Sequence, residues 1–355
     1  MCAQPRRGHT GETPALGNAR RFRLAHGLQL RHAMLRALYI MPTERCNSRC
    51  TYCYIPDKAS AIDANEDVFF QSLKEFLEGP RDEAPRQLRF IGGEPYLRPD
   101  LVLRLIDRFL DEERGGSVVI NSNATLISPD VAESLASYGA QVTHIVSMDG
   151  LADVHDKKRK MLDGTSAHGR AVEGIDRLLG KGLPVYLNAV VDRKSVMRIG
   201  ALMTFARERF GLSVLSVSLL QSTHAPMSLD DQYETLAFAY ATAEALEMEI
   251  TGHHRLLAGA RLPGLRCHAG EQTLLVTGSG KLTACQRFLR KDEGALPMSI
   301  SDRASGRRRL KVTSHACYTG QVEELATRLE RLYRTQYPHY LEVSAADRVV
   351  FGTIR

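Results

Sequence analysis

Apolar positions along the middle of the chain follow two alternating patterns. Short runs rich in Val, Ile and Leu, at 36–41, 87–91, 117–121, 142–147, 184–191 and 213–219, read as buried strands. Between them, 66–78, 100–113, 129–138, 168–181 and 196–209 carry apolar residues at three- and four-residue spacing, which lines one helical face. Ser128-Pro129 offers an N-cap followed by a proline at the first helical position, and Gly139, Gly180 and Gly182 sit where helices should stop. Strand alternating with helix predicts an α/β fold with a parallel sheet. In such sheets ligands collect beyond the carboxyl ends of the strands, so side chains just after each run are the ones to inspect for chemistry.

Beyond 221 the pattern changes. Residues 228–250 read as one amphipathic, core-facing helix, and its end at His253-His254 is a poor metal site because adjacent side chains point apart. Thr273-Leu274-Leu275-Val276, the turn Gly278-Ser279-Gly280 and Lys281–Cys285 predict a hairpin, and 318–336 a helix. Residues 1–34 hold Arg6, Arg7, Arg20, Arg21, Arg23 and Arg31 against one acid, Glu12, and read as a solvated basic segment or an arm for an acidic peptide. The expected division is 1–34, a flexible basic segment; 35–225, the α/β domain; and 226–355, a C-terminal helix with a smaller domain.

Composition changes little. The 355 residues are 43% hydrophobic and 25% charged, ordinary for a globular protein, and the net charge of +6 is spread too widely to argue for nucleic acid. No window approaches the ~18 consecutive apolar residues of a membrane span, and no apolar core follows Arg6-Arg7 as a twin-arginine signal requires. A cytoplasmic location with reduced thiols is expected.

Candidate chemistry centres on Cys46, Cys50 and Cys53, three of the seven cysteines, directly after the first strand. Three clustered thiols suit a metal better than a disulfide. Zinc usually takes four ligands in paired spacing, and no fourth Cys or His lies close by. Thiolates are also the standard ligands of iron–sulfur clusters, and three of them on a four-iron cluster leave one iron open.

The Cys-x3-Cys-x2-Cys spacing, with Tyr52 before the last cysteine, resembles the radical S-adenosylmethionine (SAM) superfamily. Three further segments, each after an expected strand, extend the resemblance: Gly92-Gly93-Glu94-Pro95; Asn121-Ser122-Asn123-Ala124-Thr125-Leu126, similar to that family's Thr-Asn-Gly-Thr-Leu; and Ser147-Met148-Asp149-Gly150 with His155-Asp156-x-x-Arg159. The last is similar to the signature of the peptide-modifying maturases of the SPASM/twitch type. The resemblance implies a partial (β/α)6 barrel holding a [4Fe–4S] cluster at Cys46, Cys50 and Cys53, with SAM on the open iron. Reductive cleavage would give a 5′-deoxyadenosyl radical that removes a hydrogen atom from substrate. It further implies that Glu94, with Gly92 and Gly93, meets the SAM ammonium; Ser147 and Arg159 its carboxylate; Tyr52 its adenine; and Ser122 and Asn123 its methionine or ribose end. Asp149 is read as bracing its turn. Asn188 is either a satisfied core amide or a further SAM contact.

Cys267, Gly280 and Cys285 resemble the opening of a SPASM domain, but the later cysteine run of that domain is missing and only Cys317 remains. Cys267, Cys285 and Cys317 are therefore candidate ligands of one auxiliary cluster, or else small buried apolar residues. The leading expectation is a maturase that installs a crosslink, thioether or epimerised centre in a ribosomally made precursor peptide, with reduced flavodoxin or ferredoxin as electron donor. The alternatives are a radical SAM dehydrogenase or decarboxylase on a small metabolite, and a non-catalytic iron–sulfur or zinc scaffold.

Overall fold

The computed structural model describes residues 35–351 apart from 56–57, 59–60, 62, 64, 82, 221–226, 253, 256–268, 270–271 and 287–321. The expected N-terminal segment 1–34, together with Cys267 and Cys317, lies outside the described residues.

Six parallel strands form the centre of one sheet: β1 (Ala37–Ile40), β3 (Gln87–Phe90), β4 (Ser117–Ser122), β5 (Val142–Ser147), β7 (Val185–Val191) and β8 (Val214–Leu219), adjacent in that order. Each lies within one residue of its expected bounds. The helices α1 (Glu66–Glu78), α2 (Pro99–Glu112), α3 (Pro129–Ala136), α5 (Ala167–Gly180) and α6 (Ile199–Phe210) follow the five central strands from β1 to β7 in turn. This is the expected α/β partial barrel. Ser128 caps α3 by accepting the Val131 N–H at 3.2 Å, with Pro129 at the first helical position.

The two faces of the sheet differ. Along β7, Val185, Leu187, Ala189 and Val191 are buried, while Tyr186, Asn188 and Val190 between them are half-buried. The buried set packs under helices such as α2, which presents Leu101, Val102, Leu105, Ile106 and Phe109 to the core. The half-buried set faces the barrel interior.

Sequence periodicity misses three things. Helix α7 (Leu229–Ala245) stops before the expected end at 250, because Glu247 turns left-handed at φ 51° and Met248 N–H returns to the Ala243 carbonyl at 2.9 Å. The chain then forms β9 (Glu249–Thr251), parallel to β8. The expected hairpin exists as β10 (Thr273–Val276) and β11 (Leu282–Thr283), and β10 also pairs parallel with β1, so the sheet has nine strands among the described residues. A second, two-stranded sheet joins β2 (Ser48–Cys50) to β6 (Arg159–Met161), which follows the short helix α4 (Ala152–Lys158). Toward the end of the described residues α8 (Val322–Gln336) packs on α7, and α9 (Ala345–Phe351) packs on β9, its Asp347 forming a buried ion pair with Arg255 at 2.8 Å. Thr251 also donates to Asp347 at 2.7 Å. His254 belongs to this structural cluster, with its Nε2 2.7 Å from the Tyr240 hydroxyl and its Nδ1 3.2 Å from the Val217 carbonyl.

Candidate active site

The loop after β1 carries Cys46, Cys50 and Cys53, all half-buried and all lining one cavity of about 270 Å³ beyond the carboxyl ends of the central strands. The antiparallel pairing of β2 with β6 sets Cys50 directly opposite Arg159. Ser48 N–H points to the Cys46 sulfur at 3.4 Å. Burial pushes the Cys46 thiol up to about 11 and raises Cys50 as well, so both stay protonated until a metal takes the proton's place. Among the described residues no three His, Cys, Asp or Glu side chains gather around a single ion. Three free thiols on one cavity wall are a donor set that suits a four-iron cluster, in which each thiolate holds a different iron.

The turn after β3 packs its backbone onto the cysteine loop. Gly93 N–H donates to the Thr43 carbonyl at 3.1 Å and Glu94 N–H to the Arg45 carbonyl at 3.0 Å. A Cβ on Gly93 would stand 1.8 Å from the Arg45 oxygen, so only glycine allows this approach. Glu94 is fully buried. Its carboxylate accepts from the Ser122 hydroxyl at 2.7 Å and from the N–H groups of Asn123 at 2.8 Å and Tyr96 at 3.2 Å. Burial outweighs these three donors and pushes its pKa up to about 7.

Asn123 ties the β4 turn to the cysteine loop. Its Nδ2 donates to Asn47 Oδ1 at 2.9 Å, and Asn47 Nδ2 donates to Thr125 Oγ1 at 2.8 Å. Ala124, where the resembled turn has glycine, sits left-handed at φ 59°. Gly174 of α5 makes room for it, since a Cβ there would lie 2.1 Å from the Ala124 oxygen.

Asp149 gathers three segments around one buried carboxylate. Arg159 donates from Nε at 2.9 Å and Nη2 at 3.2 Å, Val190 N–H at 2.9 Å, and the Tyr52 hydroxyl completes the set. Burial opposes both charges, but the Arg159 guanidinium holds Asp149 below the usual carboxylate range and Asp149 holds Arg159 well above its ordinary value. Arg159 Nη1 faces the Cys50 sulfur at 4.0 Å, and its guanidinium lies 5.4 Å over the Tyr52 ring. His155 Nδ1 accepts the Asp149 N–H at 3.2 Å; burial pushes this histidine down to about 4, so it is neutral at pH 7.

On the opposite wall, Ser147, Asn188 and Ser216 are register neighbours on β5, β7 and β8. The Asn188 side-chain Oδ1 accepts from the Ser216 hydroxyl at 2.9 Å and the Ser218 hydroxyl at 3.0 Å. Tyr52, Gly92, Gly93, Ser122, Asn123, Ser147, Arg159 and Asn188 all line the cavity; Glu94 lies one layer behind it, on Ser122 and Asn123. Sequence reasoning missed Lys58, Arg89, Asn121, Ser216, Ser218 and Gln286 among the lining. The serines had a signal, because they alternate with Leu215, Val217 and Leu219. Lys58 had none, standing in no motif. Of the C-terminal cysteines only Cys285 is described; it is half-buried, 3.9 Å from Gln286 Oε1.

An α/β barrel with a thiol-lined cavity at its strand ends defines the class. Residues 40–198 match the model of the radical SAM superfamily. Members of this superfamily are enzymes, and the family implies a [4Fe–4S] cluster and SAM as cofactors. The chain is 30% identical over 190 residues to GTP 3′,8-cyclase of Campylobacter jejuni strain RM1221, covering 53% of this chain and 57% of that one. It is 29% identical over 167 residues to Fe-coproporphyrin III synthase of Methanosarcina barkeri, covering 47% and 39%. The chain thus spans about half the length of the curated relatives it matches. Among solved structures, anSMEcpe with bound AdoMet matches at TM-score 0.65 and 16% identity, over 86% of this chain and 97% of that one. SuiB of Streptococcus suis bound to precursor peptide SuiA matches at 0.60 and 17%, over 82% and 71%. At these identities the likeness is one of fold. No helix among the described residues is long and apolar enough to cross a membrane.

Proposed function

We propose that this protein is a radical SAM enzyme of the SPASM/twitch-type maturase subgroup that modifies a ribosomally synthesised peptide. The observation that carries the peptide reading is the segment Ser147–Arg159, whose maturase-type signature is built here into one buried assembly on Asp149. The fold likeness to SuiB, a protein crystallised with its precursor peptide, supports it.

Cys46, Cys50 and Cys53 would hold the cluster, which when bound supplies the electron that cleaves SAM to a 5′-deoxyadenosyl radical. The chain's own residues do the rest. Glu94, one layer behind the wall at Ser122 and Asn123, would reach the SAM ammonium with the acceptor site its three donors leave only where that wall parts. Ser147 and Arg159 face the carboxylate, Tyr52 the adenine, and Ser122, Asn123 and Asn188 the methionine and ribose. Asp149 keeps Arg159 and Tyr52 in place. Reduced flavodoxin or ferredoxin would supply electrons in a cytoplasmic setting, and Cys267, Cys285 and Cys317 would hold one auxiliary cluster.

The test is anaerobic reconstitution with iron and sulfide, then SAM, a strong reductant and peptides encoded beside the gene. Formation of 5′-deoxyadenosine together with a mass change in one peptide is the expected result. Cys50→Ala should abolish both, and unchanged deoxyadenosine in that variant would sink the assignment. A second reading, dehydrogenation or decarboxylation of a small metabolite, draws on the 29–30% identity to enzymes named for small molecules. Turnover of such a compound, with no peptide modified, would favour it.

A further inference from the structure

Lys58 follows the last clustered cysteine by five positions and is absent from every motif. Its Nζ donates to the Ser48 carbonyl at 2.8 Å, inside the Cys46–Cys50 turn, and its side chain lines the cavity together with all three cysteines. Arg159, which lines the same cavity, has its charge matched by Asp149 at 2.9 Å. Lys58 donates to a neutral carbonyl instead, and that bond leaves its charge uncompensated.

We infer that Lys58 sets the reduction potential of the cluster, as a positioning and charge-balancing residue of the cysteine loop. The inference rests on the reading of Cys46, Cys50 and Cys53 as cluster ligands. The charge argument is short. A [4Fe–4S]2+ core with three thiolates carries one net negative charge, and one electron from a reductant makes it two, with no bond made or broken. A fixed cation nearby stabilises the doubly charged state more, so it raises the potential and eases reduction. Lys58 is close enough for this, since its ammonium is bonded inside the Cys46–Cys50 turn and its side chain lines the cavity with all three cysteines. Its bond to Ser48 also holds the ammonium on the cysteine side of the cavity, away from Ser147 on the far wall.

Two variants separate charge from anchoring. Lys58→Gln keeps a donor for the Ser48 carbonyl but no charge; Lys58→Arg keeps both. The whole protein is reconstituted, its iron counted, and the cluster titrated by EPR without SAM against a low-potential reductant. At one fixed applied potential the ratio of reduced to oxidised cluster should fall roughly fivefold or more in Lys58→Gln, as expected for a unit charge several ångströms away in partly buried surroundings. It should stay near wild type in Lys58→Arg. An unchanged ratio in Lys58→Gln overturns the inference while leaving the cluster reading intact, and so does an equal fall in both variants. An unchanged ratio with weaker SAM binding in Lys58→Gln would assign Lys58 to the SAM carboxylate instead. No cluster in the reconstituted wild type would sink the cluster reading and this inference together.

Discussion

Glu94 offers a prediction that couples SAM binding to pH. Its carboxyl is fully buried and its pKa is pushed up to about 7 before any cation arrives. If the SAM ammonium meets the ionised form, binding must first remove the proton. The ionised fraction is about one-tenth at pH 6 and about nine-tenths at pH 8, so apparent affinity should rise roughly tenfold between them. Glu94→Gln removes the charge. It should weaken binding at pH 8 by about 1.5–3 kcal/mol, the range for hydrogen bonds to charged groups, or roughly ten- to 150-fold. It should also abolish the rise from pH 6 to 8. Equilibrium dialysis of SAM against the iron-loaded protein reads both effects, with iron content as the control for folding. The amino group of SAM titrates too, and the Gln variant run beside wild type isolates the Glu94 contribution. Equal affinity in the two proteins at pH 8, or the same pH dependence in both, would refute this account of Glu94.

Other expectations follow from packing and charge. Gly174→Ala should destabilise the protein by about 1–3 kcal/mol in urea unfolding, because its Cβ would lie 2.1 Å from the Ala124 oxygen and overpacking outweighs the helix propensity gained. His144 and His155 are pushed down to about 3 and 4 by burial. Their contribution to stability is complete above the unfolded histidine pKa of about 6.5 and is lost as pH falls from there toward 3–4, which unfolding curves at pH 7, 5.5 and 4.5 would detect. Glu94 acts in the opposite sense over pH 4.5–7, so Glu94→Gln should steepen the acid loss. In a Cys46/Cys50/Cys53→Ala triple variant, roughly four irons per chain would support the auxiliary cluster, and near-zero iron from a folded variant would reduce Cys267, Cys285 and Cys317 to packing residues.

Much of this was legible because two independent periodicities agree. Period-two apolar runs and helical stripes located the six central strands, and the chemistry-bearing residues fell at their carboxyl ends, as parallel sheets require. The failures share a cause. Strand β9 is three residues long, too short for a period to register, and it exists because Glu247 reverses the chain left-handed. The β2–β6 pairing joins segments about 110 residues apart, and no local pattern announces such a contact. Lys58 and Arg89 are single charges in unpatterned or apolar surroundings, and only the fold reveals that they line the cavity.

The motif residues themselves divide in a way that spacing could not show. Cys46, Cys50, Cys53, Ser122, Asn123, Ser147 and Asn188 present atoms to the cavity, whereas Asp149 and His155 do not line it. Asp149 fixes Tyr52 after β2, Arg159 on β6 and the Val190 backbone on β7, and its own N–H rests on His155. The cysteine loop packs Cys53, Tyr54 and Ile55 against Met41, Ile91 and Leu275 at its far end, and its Cys46–Cys50 half carries polar contacts. The position of that half therefore depends on this carboxylate from one side and on the Asn47–Asn123–Thr125 bonds from the other. On the reading of Cys46, Cys50 and Cys53 as cluster ligands, three sulfurs must keep fixed separations, and two polar clamps anchored on the barrel strands would provide that rigidity. The Asp-Gly…His-Asp-x-x-Arg segment thus acts mainly as scaffold for the cysteines, with Arg159 the one member that both braces and faces the cavity.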